Sequence, residues 1–162
     1  MLKYVNHDIV FQEFPDEVTL AVNLSQCPNA CPGCHSMYLW GDEGERLSLS
    51  RLRAMAEAYA GEITCVALMG GDNDPESVLL ILSELRRAMP GIRTGWYSGH
   101  ASLPRCFDDY PAPDYVKIGP WREECGPLSS PSTNQRMYRC LPDGSRLDIT
   151  ERFWKKGLKS TL

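Results

Sequence analysis

From Val18 to Leu24 the chain carries apolar residues at every second position. Val18, Leu20, Val22 and Leu24 give the period of a half-buried strand, although Ala21 makes the opposite face fairly apolar too. Residues 9–13 read as a strand before it, with Pro15-Asp16-Glu17 as the turn between the two. Further on the period changes. Leu52, Met55, Ala56 and Tyr59 fall at i, i+3, i+4 and i+7, the stripe of a core-facing helix. Ser50 stands at its N-cap, it runs to about Ala60, and Gly61 occupies the C-terminal stop. Val78, Ile81, Leu82, Leu85 and Met89 give a second helix the same kind of inner face. Asp74 caps that helix, Pro75 takes its first position and Pro90-Gly91 ends it.

Short apolar runs at 63–69, 92–98 and 115–118 separate these helical patterns and read as buried strands. Strand, loop, helix, strand, loop, helix, strand is the order of parallel strands joined by right-handed crossovers. It predicts an α/β sheet or a partial barrel. Ligand sites in such folds lie beyond the C-terminal ends of the strands. Cys27 to Cys34, Gly70-Gly71-Asp72 and Ser98-Gly99 all stand there. Residues 119–136 form a long loop rich in Pro, Ser and Gly, which is functional or mobile. Pro142-Asp143-Gly144 reads as a hairpin turn between strands at 137–140 and 146–149. Thr150 caps a short last helix ending near Lys156. No repeat, low-complexity tract or linker interrupts the pattern, so residues 1–162 read as one domain.

Composition narrows the function classes. A hydrophobic content of 43% and a charged content of 23% are ordinary for a globular chain. The formal net charge of -4 argues against a grip on nucleic acid or on an anionic membrane, since either needs a basic face. No apolar run approaches the roughly 20 residues of a membrane span. The first fourteen residues lack the basic-then-apolar layout of a secretory signal, so a cytoplasmic location is expected. Seven cysteines cannot all pair internally, and three of them fall between positions 27 and 34. In a reducing compartment such clustering points to metal. Cys65 lies in an apolar run as a buried small hydrophobe, while Cys106, Cys125 and Cys140 are scattered.

The segment Cys27-Pro28-Asn29-Ala30-Cys31-Pro32-Gly33-Cys34 has the form C-x-x-x-C-x-x-C. Three thiolates on one short loop can each hold one iron of a cubane and leave the fourth iron without a protein ligand. Electron carriers normally use four cysteines. Three therefore imply an open coordination position for a substrate or cofactor. The prolines fix backbone angles, and Gly33 permits a tight bend and close approach of a ligand. Zinc is the competing reading, with His35, Cys125 or Cys140 as fourth ligand. Adjacent Cys34 and His35 rarely both reach one ion, and the chain has no second C-x-x-C.

This spacing just after a first strand resembles the signature of the radical S-adenosylmethionine superfamily. The resemblance implies a [4Fe–4S] cluster on Cys27, Cys31 and Cys34. Its open iron is chelated by the amino and carboxylate groups of S-adenosylmethionine, whose reductive cleavage releases a 5′-deoxyadenosyl radical. Gly70, Gly71 and Asp72 resemble the superfamily's loop that holds the cofactor's ammonium, where backbone carbonyls and a carboxylate suit a cationic group. Proline follows later than in a Gly-Gly-Asp-Pro sequence, which leaves Asp72 or Asp74 as the acid in contact. Gly33, His35 and Ser98 are the remaining candidates for the cofactor: His35 through its backbone, and Ser98 beside Tyr97 and Gly99 at the ribose or carboxylate.

Within the superfamily the chain resembles the family of activating proteins of anaerobic ribonucleoside-triphosphate reductases. Cys31-Pro32-Gly33-Cys34-His35 followed by Trp40 looks like that family's cluster loop. Gly33 stands where many radical enzymes carry an aromatic residue, which suits the reductase activators. Ser132-Thr133-Asn134-Gln135-Arg136 resembles its C-terminal element, and Asp148-Ile149-Thr150 before Phe153-Trp154 its last helix. The likeness runs from about Val18 to Lys156. It implies a partial (βα) barrel whose open side admits a protein, and generation of a glycyl radical on the large reductase subunit. An electron donor such as flavodoxin or ferredoxin is implied with it. Alternatives are another radical enzyme, such as a pyruvate formate-lyase activator or a small-molecule modifier, and a zinc-stabilised interaction domain with no enzymatic activity. Trp121-Arg122 is a candidate partner contact or plain surface packing, and Lys155 and Lys156 offset a helix dipole.

Overall fold

In the computed structural model, which describes residues 1–154, the first pairing is a hairpin of Lys3–Val10 (β1) and Thr19–Leu24 (β2). β1 begins earlier than the apolar pattern predicts. Asn6, His7 and Asp8 break the run of apolar residues, and the strand is held by backbone pairing along an almost uniformly half-exposed ribbon. β2 is buried on both faces except at Asn23, which explains why Ala21 blurs its alternation.

After Glu45–Arg46 (β3), the chain forms Leu49–Ala58 (α1), Cys65–Met69 (β4), Pro75–Ala88 (α2), Arg93–Tyr97 (β5) and Tyr115–Ile118 (β6). β2, β4, β5 and β6 pair in parallel as neighbours in that order. Arg136–Cys140 (β7) and Arg146–Asp148 (β8) return as the expected hairpin and extend the sheet antiparallel to β6. The result is an α/β fold on an open, mixed sheet of eight strands in the order β3-β1-β2-β4-β5-β6-β7-β8.

Period-2 alternation decides what each face of this sheet carries. Leu20, Val22, Val66, Leu68, Trp96 and Val116 share one core with Leu52 of α1 and Leu79, Leu82 and Leu85 of α2. On the alternate positions, Cys65, Ala67, Tyr115 and Met137 pack with Phe14 and Ile149. Helices therefore cover one face, whereas loop residues close the other. The β5–β6 connection carries only a 3-10 turn, Arg105–Asp109.

Two local expectations are corrected, and one turn residue takes an unforeseen place. The cap of α1 is Ser48, whose hydroxyl accepts from the Arg51 amide at 3.2 Å; Ser50 lies inside the first turn. Glu17, beside the turn, is drawn inward. It is 4% exposed and accepts from Tyr115 and Arg93, both at 2.9 Å, and from Thr64. The last helix is a single 3-10 turn, Thr150–Phe153, and Thr150 does not cap it. The Thr150 hydroxyl instead donates to Asp148 at 2.6 Å and accepts from the Met137 amide at 2.9 Å. Lys155 and Lys156 lie outside the described residues.

Ser48→Ala is expected to cost about 1 kcal/mol in urea unfolding through loss of the cap. Ser50→Ala should stay within about 0.5 kcal/mol of the parent.

Candidate metal and cofactor site

The parallel strands β2, β4, β5 and β6 end at a common rim, and their loops enclose a cavity of about 240 Å³. Cys27, Cys31, Cys34, Gly70, Asp72 and Ser98 all line it. Three loops separated by up to 71 positions in sequence thus meet at one place, as the strand order requires.

The cysteine loop leaves β2 under constraint. Gln26 and Ala30 hold positive φ at 62° and 43°, uncommon for non-glycine residues, and Gly33 stands at 74°. The Cys27 amide donates to Leu39 at 3.0 Å and the Gln26 amide to Gly41 at 2.9 Å, closing a ring of chain around the loop. Within it, the Ser36 backbone amide lies 3.4 Å from the Cys34 sulfur and the Asn29 side-chain Nδ2 3.7 Å from that of Cys27. Both sulfurs thereby have a hydrogen-bond donor beside them.

Asp72 joins the loops. It is 8% exposed. Its Oδ1 accepts from the Ser98 hydroxyl at 2.6 Å, and its Oδ2 accepts from Asn29 and from the Gly99 amide, both at 2.7 Å. One carboxylate thereby ties the cysteine loop to the rim of β5. Gly99 is required for this closeness, because a Cβ there would stand 2.5 Å from the Asn29 amide nitrogen. Asp74, the other candidate, turns away. It caps α2 through Ser77 and pairs with the N-terminal ammonium of Met1 at 2.6 Å. Burial raises its pKa, but those partners outweigh it and hold it below the ordinary carboxylate value.

Gly33, His35 and Gly71 do not line the cavity. Gly71 has φ of 94° and packs inward, where a Cβ would meet Val78 at 2.5 Å and Leu24 at 2.9 Å. Gly33 packs against Trp121, and the His35 ring meets the Trp121 ring edge-on at 5.2 Å. The Gly70 carbonyl does not stand free either, since it accepts from the Trp96 indole at 2.8 Å.

Lys117 on β6 also lines the cavity, although the sequence reading did not single it out. It is 7% exposed and among the described residues makes no ion pair. Its ammonium donates to the Gly119 carbonyl at 2.9 Å and stands 5.5 Å over the Tyr97 ring. Burial pushes its pKa down from 10.5 to about 8, against the upward pull of Asp72, Cys31 and Cys34. A charged residue inside a run of otherwise apolar strand is the signal that marks it. Gln135 reaches the same cavity, its backbone amide held by the Thr133 hydroxyl at 3.0 Å and its neighbour Asn134 tied to the chain just after β6. Asn134 donates to the Pro120 carbonyl at 3.0 Å.

The scattered cysteines lie elsewhere. Cys65 is fully buried, and burial together with Glu17 drives its thiol far above the ordinary value. Cys140 lines a separate cavity beside α2, and burial pushes it up to about 11. Cys125 sits in the 3-10 turn Glu123–Cys125 and does not line the cavity. Among the described residues, no three His, Cys, Asp or Glu side chains gather around a single ion position. A cubane differs in what it asks for, since each of its irons takes one thiolate. Thiols with sulfur-directed donors, a buried unpaired cation and a buried carboxylate suit an anionic iron–sulfur cluster with a zwitterionic ligand.

Comparison with family models, curated proteins and solved structures returns no match. No helix among the described residues is long and apolar enough to cross a membrane.

Between pH 8 and 10.5 the unfolded chain keeps the Lys117 proton while the native protein releases it, so this group makes stability rise with pH across that window. Metal-free Lys117→Met is therefore expected to gain stability over the parent at pH 7, with the advantage shrinking towards pH 10.5. Paired urea titrations at both pH values check this.

Proposed function

We propose that the chain is a radical S-adenosylmethionine enzyme that activates a glycyl-radical partner, the large subunit of an anaerobic ribonucleotide reductase. The observation that carries this reading is the Asp72 carboxylate, which binds Asn29 of the cysteine loop together with Ser98 and Gly99 of the β5 rim at one cavity.

In this reading Cys27, Cys31 and Cys34 each hold one iron of a [4Fe–4S] cluster. Asp72 sets the negative side of the cavity for the cofactor's ammonium, and Lys117 offers its charge to the carboxylate. Ser98 acts by holding Asp72. Gly33, His35 and Gly71 serve the shape and packing of the loops. The cluster and S-adenosylmethionine, when bound, supply a radical that takes a hydrogen atom from a glycine. The protein's task is orientation and exclusion of water. In this reading the parallel strands belong to a partial barrel, and a protein partner reaches the cavity at the rim where those strands end. The 132–136 segment resembles the reductase activators and delivers Gln135 to the cavity, which favours that partner. Flavodoxin or ferredoxin as electron donor and a cytoplasmic location complete the proposal.

Anaerobic reconstitution with iron and sulfide, followed by electron paramagnetic resonance of the reduced protein with and without S-adenosylmethionine, tests it. A cluster signal that changes on adding the cofactor is expected, and a glycyl radical should form on the added reductase subunit. Tightly held stoichiometric zinc without iron, under the same anaerobic preparation, sinks the reading. Cys27→Ala, Cys31→Ala and Cys34→Ala should each abolish cluster absorption, whereas Cys125→Ala and Cys140→Ala retain it. Asp72→Ala should keep the cluster but bind S-adenosylmethionine at least about tenfold more weakly by equilibrium dialysis, through loss of a charged acceptor. Asp74→Ala should leave that affinity unchanged.

A further inference from the structure

The chain has four tryptophans, and their indole N–H groups fare differently. Trp96 donates to the Gly70 carbonyl. Trp40, Trp121 and Trp154 each bury Nε1 without an acceptor among the described residues. An indole N–H is a donor only, and a buried donor left unpaired is costly. Two of the three orphans, Trp40 and Trp121, line the cavity of the cysteines; Trp154 does not.

Their placement is specific to the cysteine loop. Trp40 directly follows Leu39, whose carbonyl accepts the Cys27 amide. The Trp121 Nε1 lies 3.4 Å from the position a Cβ on Gly33 would take, on the stretch between Cys31 and Cys34. The loop's own sulfurs do not supply the missing acceptors. Their donors are the Ser36 amide and the Asn29 side chain. A group bound by the loop would supply such an acceptor at Trp40 and Trp121.

We propose, resting on the cluster reading of this loop, that Trp40 and Trp121 donate indole N–H bonds to sulfur of the bound iron–sulfur cluster and thereby make it easier to reduce. Soft, anionic sulfur is the acceptor chemistry a cluster brings to this end of the cavity, while Asp72 and Lys117 remain for the cofactor's ammonium and carboxylate. A donor on cluster sulfur stabilises the more negative, reduced state and raises the potential. These residues tune the cluster without ligating it.

Trp40→Phe and Trp121→Phe keep an aromatic ring and remove only the donor. Each is expected to shift the reduction equilibrium of the reconstituted cluster about three- to tenfold towards the oxidised form, tenfold being about 59 mV for one electron. Trp154→Phe should leave it unchanged. Wild-type protein carrying ¹⁵N-indole tryptophan, reduced without S-adenosylmethionine, should show ¹⁵N hyperfine coupling to the cluster in electron–nuclear double resonance. That measurement decides the matter even where a variant fails to take up iron. A cluster with wild-type potential in both variants and no ¹⁵N coupling overturns the proposal while leaving the cluster reading standing. Failure of the wild type to assemble any cluster overturns both.

Discussion

A buried carboxylate is costly unless every lone pair that leaves water finds a donor, and Asp72 meets that demand with groups from two other loops. Its bonds to Asn29, Ser98 and the Gly99 amide tie the rim above β2 to the rim above β5, across β4. The chain can reach this arrangement because Gly70 and Gly71 both take positive φ and bring Asp72 back over the rim. Trp96, buried in β5, holds the turn from below through the Gly70 carbonyl. These bonds join the loops that line the cavity of the cysteines.

The opposite rim carries a second buried carboxylate with a different outcome. Glu17 takes bonds from Thr64 before β4, Arg93 at the start of β5 and Tyr115 at the start of β6. There the acceptors are consumed by structure alone. At the Asp72 end the buried Lys117 ammonium donates to carbonyls but makes no ion pair, and two buried indole donors have no acceptor among the described residues. In the proposed function these donors face the bound cluster and its cofactor. Both rims use a buried carboxylate to tie separate segments together.

Several parts were legible from local chemistry. Asp74-Pro75 announced the start of α2, and the apolar stripe from Val78 to Leu85 matches its buried face. The hairpin around Pro142-Asp143-Gly144 needed only turn residues between two short runs. Other parts were hidden. β1 is a strand because β2 and β3 pair with it, while its own residues show no alternation. Ser48 and Ser50 are chemically equivalent as caps, and only the first turn's geometry chooses Ser48. Glu17 reads as a turn residue until Arg93, 76 positions away, is seen to meet it.

What the sequence determined by itself is the set of reactive groups and their order: three cysteines after one strand, Gly-Gly-Asp after the next, Ser-Gly after a third. Local periodicity and turn chemistry suffice for that, because they act within a few residues. Tertiary structure alone decided which groups share the cavity. It chose Asp72 over Asp74, brought in Lys117, Gln135, Trp40 and Trp121, and turned Gly33, His35 and Gly71 to packing. Those choices depend on register between parallel strands and on which buried polar atoms find partners. Both are properties of residues far apart in the chain, which a one-dimensional pattern does not carry.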